Sequence, residues 1–157
     1  IQFRNKYCPD GYKSMMECQF STAYMLSAYM MDHNPGPHWF QKDMLSNPKL
    51  LDMAGRVKMD TENVLLLSEC FSIYTNGSFP KITMTVTLKN GTVLTKDFQF
   101  PKGHPQNPYD WAEAERDFRI GAKVARLSEE KSEKFIALCK DMENVANAAE
   151  AAECLAP

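Results

Sequence analysis

This chain is short of the side-chain patterns that most catalytic chemistry needs. Three histidines are spread over 157 residues, and only His33 and His38 lie near each other, five apart with Pro35-Gly36-Pro37 between them. Zinc takes three or four well-placed ligands, so that pair predicts no metal centre. The glycines form no phosphate-binding loop, and no G-x-S-x-G nucleophile turn occurs. No apolar run approaches the roughly 18–20 residues needed to span a bilayer. Five cysteines, Cys8, Cys18, Cys70, Cys139 and Cys154, are odd in number and lack C-x-x-C spacing. That excludes a disulfide framework and leads to the expectation of reduced thiols in a cytoplasmic protein. With a net charge of −2 there is no basic excess to attract nucleic acid. An initiator Met is also missing; the chain opens on the strand-like Ile1-Gln2-Phe3-Arg4, which suggests a fragment of a longer protein.

The most sharply patterned stretch runs from Phe79 to Trp111. Ile82, Met84, Val86 and Leu88 alternate with Lys81, Thr83, Thr85 and Thr87, the period of a half-buried strand. A return strand carries Leu94, Phe98 and Phe100. A two-residue Asn90-Gly91 loop pairs Leu88 with Val93 and puts Leu94 and Phe98 on the threonine face. A three-residue loop with Gly91 left-handed pairs Leu88 with Thr92, Val86 with Leu94 and Ile82 with Phe98. Only the second gathers the apolar residues, so it is the register predicted. Asn76-Gly77-Ser78 and Asn90-Gly91-Thr92 have the form of glycosylation sequons, but in a cytoplasmic protein they read as turns.

Around the hairpin the sequence predicts mostly helices. Residues 1–8 read as a strand. Ser14 and Glu17 form a capping box for a helix from about Met15 to Met31, apolar nearly all round, with its methionines read as core filling. Trp39 to Leu45 suggests one or two helical turns. Asn47 and Pro48 open a short helix that Gly55 ends. Arg56 to Asp60 reads as a strand, and 61–78 is ambiguous between strand and helix. Asp110 and Glu113 open a helix with Trp111, Ala114, Phe118 and Ala122 on one face. Ser128 caps another with Phe135, Leu138, Cys139 and Met142 inward, and an Ala/Glu-rich tail from Asn144 to Leu155 follows. The fold class expected is α+β: an antiparallel sheet with a central hairpin at about 81–100, helices on one side and a helical C-terminal segment. The domain division expected is 1–109 for the α+β part and 110–157 for the C-terminal helices.

Three motifs occur in an order that resembles the second domain of the MmgE/PrpD family, which includes 2-methylcitrate dehydratases, cis-aconitate decarboxylases and an iminodisuccinate epimerase. The hairpin corner Pro101-Lys102-Gly103-His104-Pro105-Gln106-Asn107-Pro108 resembles "PKG-[HDE]-P-x-N-P". Cys18 to Met31 resembles the "[KR]-[FH]-S-x-x-Y-x-x-A-x-A-L" helix, and Ser46 to Asp60 resembles "D-P-x-V-x-x-L-A-x-K-V-x-V". The resemblance covers most of residues 15–145. It implies a cofactor-independent lyase or isomerase that abstracts a proton α to a carboxylate of a small polycarboxylic acid. Loss of water or CO₂, or reprotonation, then follows. Such chemistry needs a base of near-neutral pKa and groups that hold developing enolate-like charge. In the family these lie mainly in a larger helical domain preceding this segment. That domain and the acid substrate are the partners implied, with a homodimer as a further expectation.

The resemblance marks candidate residues. Phe20, Ser21 and Tyr24 hold the F-S-x-x-Y positions; the family tyrosine faces the cleft between the domains, which makes Tyr24 a candidate catalytic residue. Otherwise it is a core tyrosine with one hydrogen-bond partner. Ser21, Gln19, His104 and Lys102 are candidate substrate-binding residues. Gln19 stands where relatives commonly carry Lys or Arg, which implies a different or less charged acid. His104 otherwise reads as an exposed corner residue. No cofactor is expected. The competing reading is a non-enzymatic α+β module that binds a protein partner through the apolar 15–31 helix.

Overall fold

In the computed structural model the described residues are 7–60 and 65–156. They group into two compact units, one of residues 60–110 and one of residues 7–59 with 111–156. The class is α+β: helices and, among the described residues, one two-stranded antiparallel sheet.

The helical unit begins with α1 (Met15–Gln19) and α2 (Thr22–Met31). A single helix over Met15–Met31 was expected. Instead it breaks at Phe20 and Ser21, because Ser21 adopts extended backbone and its hydroxyl accepts the Tyr24 N–H, starting a new helix. A serine that caps from inside an apolar run is the kind of local competitor that interrupts helices. A 3-10 turn (Pro37–Phe40) and α3 (Lys42–Leu45) follow, then α4 (Pro48–Gly55), which Asn47 caps by accepting from the N–H groups of Lys49 and Leu50. Tyr12, Cys18, Tyr24, Ala28, Trp39, Leu45 and Leu50 form the core, with α2 packed on α4. The methionines do not all fill it: Met25 and Met44 pack against the core, while Met15, Met16, Met30 and Met31 are exposed.

The expected strand at Arg56–Asp60 is absent. Val57 N–H instead donates to the Ala54 carbonyl in the turn that ends α4. The strand expected at 1–8 falls largely on residues outside those described; Tyr7 and Cys8 are not in a strand.

In the other unit, the ambiguous segment contains α5 (Leu67–Thr75). Gly77 N–H donates to the Tyr74 carbonyl and Ser78 N–H to the Ile73 carbonyl, with Gly77 at φ +69°. This is the paired helix ending that a left-handed residue permits. Strands β1 (Ile82–Thr87) and β2 (Val93–Phe98) then pair in the predicted register, Ile82 opposite Phe98 and Val86 opposite Leu94. Leu88 N–H donates to the Thr92 carbonyl at 2.8 Å, and Gly91 has φ +84°. The three-residue loop is therefore the one formed. The polar face is tied together across the strands: Thr83 Oγ1 donates to Asp97 at 2.6 Å, Lys81 pairs with Asp97 at 2.7 Å, and the Thr85 and Thr95 hydroxyls meet at 3.3 Å.

The helical unit resumes with α6 (Trp111–Val124), α7 (Glu129–Lys140) and, after a 3-10 turn (Met142–Asn144), α8 (Ala149–Cys154). Phe118 stacks on Phe135 at 4.9 Å, and Arg119 of α6 holds Glu133 of α7 through two hydrogen bonds of 2.6 and 2.8 Å. Ser128 Oγ accepts the Lys131 N–H, the predicted cap. Met142, expected inward, lies beyond the helix end and is exposed. Helix α6 ends with Leu127 N–H on the Ala122 carbonyl and Arg126 left-handed at φ 60°.

At Gly91 a Cβ would meet nothing within 4 Å, so substitution there tests conformation alone. Gly91→Val should cost about 1–2 kcal/mol, the expense of a left-handed β-branched residue. Chemical denaturation measures it, and an unchanged midpoint and slope would contradict the loop assignment.

Candidate functional site

The break between α1 and α2 shapes the surface around the family-like helix. Because the backbone turns at Phe20, its ring leaves the core and is 46% exposed. It joins Met25, Leu26, Tyr29 and Trp39 in an open groove of about 570 Å³, with Gln19 and Thr22 as polar edges. Pro35 also lines it.

Beneath this groove lies a buried hydroxyl network. Ser21 is fully buried; its Oγ caps Tyr24 and lies 3.1 Å from the Tyr12 hydroxyl. Tyr24 is fully buried as well, and its hydroxyl donates to the Trp39 carbonyl oxygen. Its ring meets Tyr12 edge-on at 4.8 Å. Burial, reinforced by the neighbouring Cys18, pushes the Tyr24 phenol well above its ordinary value. Burial and nearby Glu17 push the Cys18 thiol up to about 11, so it is an inert core group. The Tyr24 hydroxyl, expected from the resemblance to face a cleft, points into the unit in this chain and is satisfied by backbone. Ser21, proposed to touch substrate, is likewise enclosed with its oxygen engaged. The physical reason is shared, since a hydroxyl inside a helical core must find a local acceptor or donor. Gln19 is exposed at the groove edge.

Sequence reasoning missed Asp32. It follows α2 directly, at a helix end whose dipole disfavours negative charge. That unfavourable placement was the signal that it must have partners. It has several: His38 Nε2 at 2.6 Å, the Trp39 indole N–H at 3.3 Å, and the Asn34 N–H at 3.0 Å and side-chain amide at 3.3 Å. The His38 hydrogen bond, followed by that from Asn34, lowers the Asp32 carboxyl to about 2. The Pro35-Gly36-Pro37 turn thus brings His38 to a carboxylate; among the described residues no cluster fit for a metal ion occurs.

His104 and Lys102 belong to the hairpin unit. The corner is rigid: Gly103 is left-handed at φ +91°, its N–H donates to the Asn107 carbonyl, and Asn107 Nδ2 donates to the Phe100 carbonyl. His104 stacks on Phe100 at 4.6 Å and meets Phe79 edge-on at 5.1 Å. Its Nδ1 accepts the Gln106 N–H at 3.1 Å, so a neutral ring carries its proton on Nε2. The Lys102 ammonium lies over the Tyr109 ring at 5.8 Å. Tyr24, Ser21 and Gln19 are therefore brought together in one unit, with His104 and Lys102 together in the other.

This order of elements, a broken apolar helix, a capped helix, a hairpin and its proline-glycine corner, agrees with a family comparison. The model of the MmgE/PrpD C-terminal domain matches residues 8–144. The chain belongs to the MmgE/PrpD family. No curated protein matches it. For an MmgE/PrpD C-terminal domain the groove over α2 is thus an uncharged surface among the described lining residues, built on an internal scaffold of hydroxyls. Among the described residues, no helix is long and apolar enough to cross a membrane.

Two outcomes test this scaffold. Tyr24→Phe leaves the buried Trp39 carbonyl without its donor and should lower stability by about 1–3 kcal/mol in chemical denaturation; no loss would mean the hydroxyl is not engaged. Asp32 has a folded value below its ordinary one, so it stabilises the folded protein above the ordinary value of 3.8 and that contribution fades as pH falls towards about 2. The slope of stability against pH in this window should be positive and should shrink in Asp32→Asn; equal slopes would remove Asp32 as the anchor.

Proposed function

We propose that this chain is the second domain of a cofactor-independent lyase or isomerase acting on a small polycarboxylic acid. The reaction would begin with abstraction of a proton α to a carboxylate, as in the dehydratases, decarboxylases and epimerase of the MmgE/PrpD family. The observation that carries the reading is the family match over residues 8–144. The main base and the cationic groups would come from a helical domain on the N-terminal side, with the α1–α2 surface turned towards it. Exposed Met15, Met16, Phe20, Tyr29 and Met30 on that surface support such a partner, since apolar side chains in this density favour a covered face.

Within this reading Tyr24 is a positioning residue. It fixes the Trp39 backbone and so the groove wall, and does not itself meet the substrate. Gln19 is the substrate-side residue of this unit, occupying a place where relatives commonly carry a cation. His104, with Nε2–H as its donor, and Lys102 are the corresponding candidates of the hairpin unit. The location proposed is the cytoplasm.

The purified 157-residue protein should show no turnover of methylcitrate or cis-aconitate, whereas the complete two-domain protein should turn over an acid of this class without added cofactor. A complete protein that is inert towards a panel of small di- and tricarboxylates would overturn the reading. In the complete protein, Gln19→Lys should lower KM for the more highly charged acids by about fivefold, the scale of one exposed charge pair of up to about 1 kcal/mol. An unchanged KM would remove Gln19 from the substrate surface.

A further inference from the structure

The sequence holds two Asn-Gly pairs, Asn76-Gly77 and Asn90-Gly91, both exposed and both with a left-handed glycine. Asn-Gly is chemically labile because glycine offers no side chain to hinder attack of its own backbone nitrogen on the preceding amide group. The structure places the two pairs in different hydrogen-bond settings.

At Asn76 the following two N–H groups are both committed to the end of α5. Gly77 N–H donates to the Tyr74 carbonyl at 3.0 Å and Ser78 N–H to the Ile73 carbonyl at 3.1 Å. For the Gly77 nitrogen to reach the Asn76 side chain, the helix ending must open, and Ser78 has no N–H to spare. At Asn90 only one of the two is committed in that way: Gly91 N–H donates to the Leu88 carbonyl at 2.9 Å. The next, Thr92 N–H, donates to Asn90 Oδ1 itself at 3.0 Å. A donor on the amide oxygen polarises the carbon to be attacked and stabilises the oxyanion of the addition step, as an oxyanion hole does.

We propose that Asn90 is a self-modification site of this protein, converting in the folded state to a mixture of aspartate and isoaspartate ahead of Asn76. The Gly91 nitrogen bonds to Asn90 Cγ and loses its proton; the Cγ–Nδ2 bond of Asn90 breaks and ammonia leaves, giving a cyclic imide. Water then opens either imide carbonyl. Both products add a negative charge next to Lys89, and isoaspartate also inserts a methylene into the backbone of the three-residue loop.

The test is incubation of the folded protein in mildly alkaline buffer, followed by tryptic peptide mapping. Cleavage after Lys89 and Lys96 isolates Asn90 to Lys96, well apart from the peptide containing Asn76. Asn90 should convert on the order of fivefold faster than Asn76, the rate factor equivalent to one net hydrogen bond. In denaturant the two rates should converge, because the sequences share Asn-Gly and differ chiefly in their folded settings. Gly91→Ala should slow conversion at position 90 and leave position 76 unchanged. Faster conversion at Asn76, equal folded rates, or a ratio that persists in denaturant would each overturn the proposal.

Discussion

A hydroxyl buried inside a helical core needs a partner, and in this protein that need governs the path of the backbone from Ser21 to Trp39. Tyr24 sends its hydroxyl to the Trp39 carbonyl, while Asp32 takes the Trp39 indole N–H and the His38 ring. Trp39 is thus held at its backbone from one side and at its ring from the other. Both ties act on a residue that lines the groove. The same logic places Ser21, whose single oxygen both starts α2 and meets Tyr12. Stability here rests less on the number of such bonds than on the cost of leaving one of these buried groups unmatched.

The hairpin solves a different problem. Its threonine face is wired across the strands by Asp97 and paired hydroxyls, while Ile82, Leu94 and Phe98 sit on the opposite face in matched register. One glycine conformation separates this arrangement from a slipped one that would mix the faces. Gly91 therefore sets every cross-strand pair through its backbone conformation, with no side chain to pack against any of them.

How much of this could be read from residues alone depended on the range of the interaction. The hairpin register was legible because alternation over Ile82–Leu88 admits one loop length, and the Asn47 and Ser128 caps were legible because they act within three residues. The break at Ser21 was not, since the surrounding run is apolar and the competing cap is one hydroxyl. The strand expected at Arg56–Asp60 failed because the turn that ends α4 runs on into it, with Val57 N–H on the Ala54 carbonyl, which periodicity cannot see. At the candidate site, the motif located Tyr24 and Gln19 in one region, but the direction of the tyrosine hydroxyl depends on Trp39, fifteen residues away. Asp32 escaped notice because two of its partners, His38 and Trp39, sit beyond a proline turn and share no helical spacing with it. Aspartate at a helix C-terminus was the clue available.

Two helices in this protein end the same way with different residues. Helix α5 closes on Gly77, which takes the left-handed conformation without a Cβ in the way, whereas α6 closes on Arg126 in the same conformation. An arginine held there forgoes about 1 kcal/mol that glycine would keep. Natural proteins settle above a threshold of stability, not at an optimum, so such reserves persist. Position 126 is accordingly a place from which the scaffold can be hardened before more demanding changes are made around the groove, at no expense to the network that shapes it.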